Sequence, residues 1–380
     1  MRLVSATVYA LRIPFLESVR HSLAGRAWSD SVVVRVLDAD GVEGFGEAAP
    51  RLYVTGETPT DVVEHLARVL WPAVRGTAVP AVRSPADLEA VEQVLPDDPS
   101  EAGRHHAARA ALELAIVDCA LRRQGLSAAT LLPPRRRGVV YGGVISAESP
   151  AQAARQARWA RLAGLRQVKV KVGVGDDIAR IRAVREVLDA DVTIRADANG
   201  AWTPAVALAA VEQLARYGVT SVEQPIPPGT PETLARLRSE SALPLVADES
   251  VVTPADADAL IAAGSVDALN VRVSKCGGFV RSVAIARRAA AAGLEVHVGS
   301  HVGETAILAA AGRHLAAGLE TVAHVEGSYG TLLLVEDVSD DGLRFGHGGE
   351  AYLLTGAGWG VGVRTDRLRR HAVTVVELAA

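Results

Sequence analysis

The chain has 380 residues, a formal net charge of −4 and two cysteines, and this length allows two or three domains. A nearly neutral charge, with no basic block beyond the short run 135–137, argues against a nucleic-acid partner. The two cysteines cannot form a disulfide framework, and no signal-peptide core or apolar run of about 18 residues indicates a membrane, so the sequence predicts a cytoplasmic protein.

The first part of the chain is predicted as an α+β module, residues 1–130. Residues 1–12 and 31–38 have the pattern of strands, and Asp40-Gly41 then predicts a hairpin turn. Residues 14–30 are predicted as a long polar loop, which is either a binding element or an ordinary surface loop. Helices are predicted over residues 60–75, 84–94 and 103–124. Glu113 and Asp118 lie among apolar positions of the last helix and are interpreted as an interdomain salt bridge or as helix-surface charges.

From residue 138 the pattern changes to alternating strands and helices, which predicts a second domain over residues 138–327. Repeated strand–helix units imply parallel pairing through right-handed crossovers, and eight such strands close into a TIM-type barrel. The predicted strands contain the segments VVYGGVI, RQVKVKVG, TIRADANG, SVEQP, PLVADES, DALNVRVSKCGG, LEVHVGSH and TVAHVEG. Residues 328–380 are too short and too rich in strand pattern for another unit, so they are predicted to pack back on the first domain.

Five charged residues recur in this region at intervals of 25 to 27 residues: Lys171, Asp197, Glu223, Asp248 and Lys275. A strand–loop–helix unit of a barrel averages roughly 30 residues. Each of the five closes a short apolar run, so all of them are predicted to lie at the carboxyl-end rim, where barrel enzymes keep their chemistry.

Three carboxylates at one rim are typical ligands of Mg²⁺, with Mn²⁺ as the alternative. A metal on a substrate carboxylate would stabilise the enediolate formed when the adjacent carbon loses a proton. A lysine acts as the base only if its pKa is lowered from about 10.4. Lys169 and Lys171 share one strand face, and Lys169 is expected to contact the substrate carboxylate.

Lys171 and Lys275 lie four strands apart in an eight-strand ring, and hence across the mouth of the barrel. Two bases on opposite faces of one carbon are suited to racemisation or epimerisation, whereas a single base would support elimination or a reversed addition. A Schiff-base lysine is a competing interpretation of Lys275, but that chemistry needs no metal site.

The motifs K-V-K (169–171), D-A-N-G (197–200), V-E-Q-P (222–225), A-D-E-S (247–250) and K-C-G-G (275–278) resemble those of the enolase superfamily, specifically its muconate-lactonizing-enzyme subgroup. The similarity includes G-E-A-A-P, Y-V-T-G-E-T (53–58) and F-G-H-G-G, and so spans nearly the whole chain. It implies an α+β capping domain over a modified (β/α)₇β barrel, with Mg²⁺ on Asp197, Glu223 and Asp248. It also implies acid/base roles for Lys171 and Lys275, with Asn199 and Glu249 close to the metal ligands.

The resemblance implies an isomerase that acts on a small carboxylate, and a homo-oligomer, dimeric or octameric. Racemisation or epimerisation of an amino-acid derivative is the leading prediction. Muconate-type cycloisomerisation and syn-dehydration, as in o-succinylbenzoate synthase, are the alternatives. A non-catalytic carboxylate-binding barrel is the alternative from another class, but it predicts the loss of a ligand or base, and none is lost.

Candidate substrate-binding residues are Arg20, His21, Tyr53, His301 and Glu326. Arg20 and His21 favour a second anionic or polar group on the substrate. Glu326 is expected either to hydrogen-bond the substrate or to be a structural carboxylate. The eighth strand carries H-V-E-G-S-Y where dipeptide epimerases typically have Asp-x-Asp, which argues against a dipeptide substrate. His297 is expected to be a barrel-interior residue, because Lys275 fills the role that a His–Asp dyad has in the mandelate-racemase subgroup.

Overall fold

Strands from both ends of the chain form one antiparallel sheet. The computed structural model describes residues 1–21, 24–96, 105–340 and 343–379, without the side chains of residues 18–21, 24 and 331. The first five strands are β1 Leu3–Leu11, β2 Ile13–His21, β3 Ala24–Ser29, β4 Val32–Asp38 and β5 Glu43–Ala48. β1, β4 and β5 pair antiparallel in that order, and the last strand of the chain, Ala372–Ala379, pairs with the other edge of β1.

The predicted loop over residues 14–30 is wrong, because this segment is the β2–β3 hairpin. Pro14 is tolerated because the hairpin is a separate two-stranded ribbon, where a missing N–H costs no ladder bond in a central strand. Phe15 is buried and bridges to Leu334, and this long-range contact was not visible in the local pattern. Arg20 and His21 belong to β2, but their side chains lie outside the described part of the chain.

The helices that follow pack on the sheet through α4, which is buried over most of its length. They are α1 Pro59–His65, α2 Trp71–Val74, α3 Leu88–Glu92 and α4 His106–Gln124, with a π-helical turn at Leu66–Leu70 between α1 and α2. Gly44 and Gly46 let β5 lie directly against α4, since a Cβ at Gly46 would stand 2.0 Å from the Ala111 carbonyl oxygen. In the described ranges, no helix combines the length and the apolar character needed to cross a membrane.

Eight parallel strands form the second sheet, and seven helices connect them. After the short β6 Gly138–Val140, the sheet comprises β7 Gly143–Ile145, β8 Gln167–Lys171, β9 Thr193–Asp197, β10 Val219–Glu223, β11 Leu245–Ala247, β12 Ala268–Val271, β13 Glu295–Val298 and β14 His324–Val325. The helices are α5 Pro150–Leu162, α6 Asp177–Val187, α7 Pro204–Ala215, α8 Pro231–Glu240, α9 Pro254–Ala262, α10 Phe279–Ala291 and α11 Ala306–Gly318. The N–H of Gly142 donates to the Val325 carbonyl at 2.8 Å and joins the two ends of the sheet. The predicted (β/α)₇β barrel is confirmed.

The strand predicted over 139–145 is divided in two. β6 leaves the barrel and pairs with β15, Glu350–Tyr352, while β7 begins the parallel sheet. The remaining elements are α12 Gly330–Leu333, α13 Thr365–His371 and β16, the Ala372–Ala379 strand described above. The domain boundaries at 130, 138 and 327 stay predictions.

Buried carboxylates connect the capping elements to the N-termini of two barrel helices. Glu47 of β5 accepts the N–H groups of Thr305 at 2.9 Å and Leu308 at 3.0 Å, at the start of α11. Glu113 of α4 accepts the N–H of Phe279 at 2.6 Å, at the start of α10. These N–H groups have no partner within their own helix, so the carboxylates act as remote caps. The prediction that Glu113 is a salt-bridge or surface residue is therefore wrong.

Candidate active site

The three predicted metal ligands lie together at the carboxyl end of the barrel. Asp197 and Glu223 are the last residues of β9 and β10, and Asp248 immediately follows β11. All three are fully buried. Lys171 ends β8, where it is the register partner of Asp197, and Asp197 is in turn the partner of Glu223. Since parallel strands of a barrel end at one rim, the even spacing in sequence becomes proximity in space.

Lys171 is held by two groups of the next strand and its turn. Its Nζ donates to Asp197 Oδ2 at 2.6 Å and to Asn199 Oδ1 at 2.8 Å. Asn199 has a φ of 46°, a left-handed conformation that asparagine tolerates, and its Nδ2 donates to Glu249 Oε1 at 3.0 Å. The Lys171 side chain is 17% exposed and lines a cavity, so its amine is accessible to a ligand.

Lys275 was predicted to end a strand, and this prediction is wrong. β12 stops at Val271, and Lys275 lies in the turn that follows. The ammonium is fully buried and donates to Asp248 Oδ1 at 2.9 Å and to the Asn270 carbonyl at 2.8 Å. Burial and the nearby guanidinium of Arg272 lower the pKa of Lys275 to about 8. A lysine with that pKa is suited to act as a base near neutral pH.

Lys169 lies one layer deeper in the barrel than Lys171. Its Nζ is 2.6 Å from Glu326 Oε2, 3.1 Å from Glu223 Oε1 and 3.3 Å from Asp197 Oδ2. Burial alone lowers the pKa of Lys169, but these three carboxylates outweigh it and the pKa is raised. Lys169 therefore remains an ammonium and is suited to hold a carboxylate, not to remove a proton.

Arg195 is the register partner of Lys169 and completes the deeper layer. Its guanidinium donates to Glu326 Oε1 at 2.5 Å and to Glu223 Oε2 at 3.3 Å, and it contacts Nδ1 of the buried His297 at 3.2 Å. Although burial opposes ionisation, Lys169 and Arg195 hold the pKa of Glu326 far below its usual range. Both oxygens of Glu326 are thus committed to protein cations.

A cavity of about 250 Å³ lies above these layers, between the barrel rim and the capping elements. Lys169, Lys171, Asn199 and Glu326 line its floor, together with Arg272, which is ion-paired with Asp248. The predicted substrate-binding residues Tyr53 and His301 line it as well. A larger open groove of about 820 Å³ lies along α7, but none of the lysines reaches it.

The donor set fits a hard divalent cation, because it consists of carboxylate oxygens at the ends of adjacent strands. In the part of the chain that the structure describes, no three acidic, histidine or cysteine side chains converge on one point, and Asp197 and Asp248 are instead paired with Lys171 and Lys275. Glu249 Oε2 is buried without a hydrogen-bond partner. Burial and the charge of Asp197 raise the pKa of Glu249, so a cation beside these two carboxylates would be stabilised.

The structure adds four residues to the predicted set. Arg195 and Arg272 pair with the carboxylates as described, Asn270 Nδ2 donates to Glu223 Oε1 at 2.8 Å, and Glu304 lines the cavity. Arg195 has a signal in the sequence, since it lies two residues before Asp197 and therefore on the same strand face. Asn270 lies on β12, whereas Arg272 and Glu304 lie in turns whose geometry the periodicity does not determine.

Residues 152–367 match the family model described as Enolase C-terminal domain-like. A hydrophobic dipeptide epimerase of Enterococcus faecalis is 30% identical over 86% of this chain and 90% of its own length. Muconate cycloisomerase 1 of Rhodococcus opacus is 27% identical, with coverages of 97% and 98%.

Solved structures of similar proteins cover nearly the whole fold. The N-succinyl Arg/Lys racemase from Bacillus cereus superposes with a TM-score of 0.91 at 27% identity, over 100% of both chains. A dipeptide epimerase from Enterococcus faecalis, solved with Mg and the dipeptide L-Leu-L-Tyr, superposes with a TM-score of 0.86 at 29% identity, over 95% of this chain and 99% of that one.

Proposed function

Because the chain belongs to the Enolase C-terminal domain-like family and is an isomerase of the enolase superfamily, we propose that it racemises or epimerises an amino-acid derivative. The reacting carbon is the one next to the carboxylate of the substrate. One observation carries the proposal. Lys171 and Lys275 come from the second and sixth strand units of an eight-strand ring, and each contacts a different carboxylate of one cluster. Two amines facing one carbon from opposite sides can exchange its proton with inversion.

Asp197, Glu223 and Asp248 would hold Mg²⁺, with Mn²⁺ as the alternative. The bound metal would supply positive charge that neutralises the substrate carboxylate and makes the adjacent C–H more acidic. The full burial of the three carboxylates supports this assignment, as does the Mg in the similar dipeptide epimerase structure. Asn199 and Glu249 would support the metal site through their mutual hydrogen bond.

The protein groups have separate tasks in this reaction. Nζ of one lysine, as a neutral amine, takes the α-proton on its side, and Nζ of the other, as an ammonium, returns a proton on the opposite side. The roles exchange for the other enantiomer. Lys169, which its three carboxylates keep protonated, holds the substrate carboxylate, and Arg195 fixes Glu223 and Glu326 beneath it.

The experiment is α-proton exchange by NMR in D₂O with Mg²⁺, using N-acyl amino acids, dipeptides, betaines and dicarboxylates. Lys171→Ala and Lys275→Ala are each expected to abolish racemisation of a substrate that the wild type inverts. All three lysines of the chain belong to this site, so an exposed arginine supplies the control, Arg158→Ala on α5, which should leave exchange unchanged. Each variant can still exchange the α-proton of the enantiomer that faces its remaining lysine, so inversion that survives in either lysine variant would overturn the proposal.

Cycloisomerisation is the second candidate, because Lys171 lines the cavity while Lys275 is fully buried. A single accessible base is what lactonisation or syn-dehydration requires. The similarity to muconate cycloisomerase 1 over nearly the whole chain also supports it. A product that is cyclised or dehydrated, with exchange that depends on Lys171 alone, would favour this reaction.

A further inference from the structure

His301 lines the cavity with two ring nitrogens that have no hydrogen-bond partner. The side chain is only 2% exposed, and both Nδ1 and Nε2 are buried. Nδ1 lies 3.6 Å from Glu304 Oε1, which is too far for a hydrogen bond. A buried polar group without a partner is costly, so this imidazole points to a ligand atom that completes it.

The turn that carries His301 is fixed by the capping elements. Arg51 donates to the Val302 carbonyl at 2.5 Å, and Ser29 Oγ donates to the Gly303 carbonyl at 2.6 Å. Glu304 Oε1 accepts the N–H of His301 at 2.6 Å and closes the turn. The imidazole is therefore held in place on the cavity wall, not on a loose loop.

The imidazole and the carboxyl of this turn are both uncharged near neutral pH. Burial, reinforced by the arginines nearby, lowers the pKa of His301 well below its ordinary value. Burial and the neighbouring Glu47 raise the pKa of Glu304 to about 8. A neutral imidazole has one donor and one acceptor, and so matches an uncharged polar group such as an amide.

The buried charged groups that line the cavity are already paired within the protein. Among the described residues that line it, the carboxylates are Glu17, Glu304 and Glu326, and Glu17 is exposed at the mouth. Glu326 is neutralised by Lys169 and Arg195. Glu304 is uncharged near neutral pH, so a substrate ammonium would enter beside Lys171 and Arg272 without a charged counterion in place, which is unfavourable.

We infer that the His301–Glu304 turn binds the amide of an amino acid acylated on nitrogen by an uncharged group, with a ring N–H of His301 donating to the acyl oxygen. Val144, Val302 and Leu333 line the same cavity and supply apolar surface for the acyl chain or the side chain. This inference rests on the proposed racemisation and assigns its substrate class. It predicts discrimination against free dipeptides, whose terminal ammonium lacks a charged partner here.

The test compares N-propionyl and glycyl derivatives of the same L-amino acids (leucine, methionine, phenylalanine and arginine). The propionyl and glycyl groups have equal numbers of non-hydrogen atoms and differ by a methyl group in place of an ammonium. We expect kcat/KM for deuterium exchange to be at least about a hundredfold higher for the better propionyl substrates. Equal or faster turnover of the glycyl compounds would overturn the inference.

His301→Leu should raise KM for the propionyl substrates about tenfold to a hundredfold and leave kcat within about threefold. His301→Gln, which keeps a hydrogen-bond donor, should recover most of that loss, and the exposed His347→Leu serves as the control. A fall in kcat alone, or equal effects of the leucine and glutamine variants, would show that His301 does not bind the acyl group.

Failure of the proposed function is separable from failure of this inference. If no compound exchanges its α-proton, racemisation is refuted, and calorimetric binding of the same pairs to wild type and His301→Leu then decides the substrate class. Preferential binding of propionyl derivatives that His301→Leu abolishes would support the subsite. Equal binding of both series, or none of either, would refute it.

Discussion

Glu113 should make the folded chain less stable as pH rises. Burial, reinforced by the charge of Glu92, raises its pKa to about 7 from the ordinary 4.5. The unfolded chain therefore ionises this group first, and ionisation is penalised only in the folded state. The penalty is absent below pH 4.5, grows between pH 4.5 and about 7, and is complete above that.

The size of the effect follows from the shift. One pKa unit corresponds to about 1.4 kcal/mol, so a shift of about 2.5 units gives a full penalty of about 3 kcal/mol. Of this, about 2 kcal/mol accumulates between pH 5.5 and 8.5. Glu113→Gln removes the titration and keeps an oxygen for the Phe279 N–H. Relative to the wild type, the variant should gain about 2 kcal/mol of unfolding free energy over that interval.

The assay is urea unfolding of wild type and variant at pH 5.5 and 8.5, followed by circular dichroism. Other titrating groups contribute equally to both proteins, so they cancel in the difference. Glu89→Gln, the same substitution at an exposed position of α3, is the control and should leave the pH dependence unchanged. A difference between wild type and Glu113→Gln that does not vary with pH would refute the reasoning.

Two further results are expected. In a ¹³C NMR titration of the lysine side chains, Lys275 should titrate near pH 8. Lys169 should remain an ammonium at the highest pH at which the protein is folded. A common pKa for the two lysines would contradict the charge pairing seen here. Gly46→Ala should destabilise the chain by more than about 3 kcal/mol in thermal unfolding, because the new Cβ would stand 2.0 Å from the Ala111 oxygen. Gly312→Ala in α11 is the control: its Cβ meets nothing within 4 Å, so the variant should be more stable by about 0.5–1 kcal/mol. A stabilising Gly46→Ala would mean that β5 and α4 do not touch as described.

The rim residues could be predicted from sequence because barrel geometry converts equal spacing into proximity. Lys171, Asp197 and Glu223 each end a strand, and the register between strands places them side by side. Lys275 shows the limit of that logic. The apolar run before it continues to Val273, but the strand ends at Val271, where the parallel ladder with β13 ends. Ladder partners, which are distant in sequence, decide where a strand stops.

The parts that were missed are those made by contacts between distant segments. The β2–β3 hairpin carries Pro14 as its second residue and has several polar residues, so its local pattern resembles a loop. The contact between Phe15 and Leu334 is known only from the fold. Glu304 reaches the cavity through a turn after β13, with no periodic signal. Glu113 seemed an ordinary helix charge because its partner, Phe279, follows more than a hundred residues later.

The concentration of every lysine of the chain at one site has a practical consequence. The 40 lysines and arginines include only Lys169, Lys171 and Lys275 as primary side-chain amines, and all the others are arginines. Amine-directed reagents such as succinimidyl esters would therefore find the chain terminus and, only through the cavity, Lys171. Coupling to a resin or dye at the terminus should thus spare the enzyme, and protection of Lys171 by a bound carboxylate would report ligand occupancy without any turnover assay.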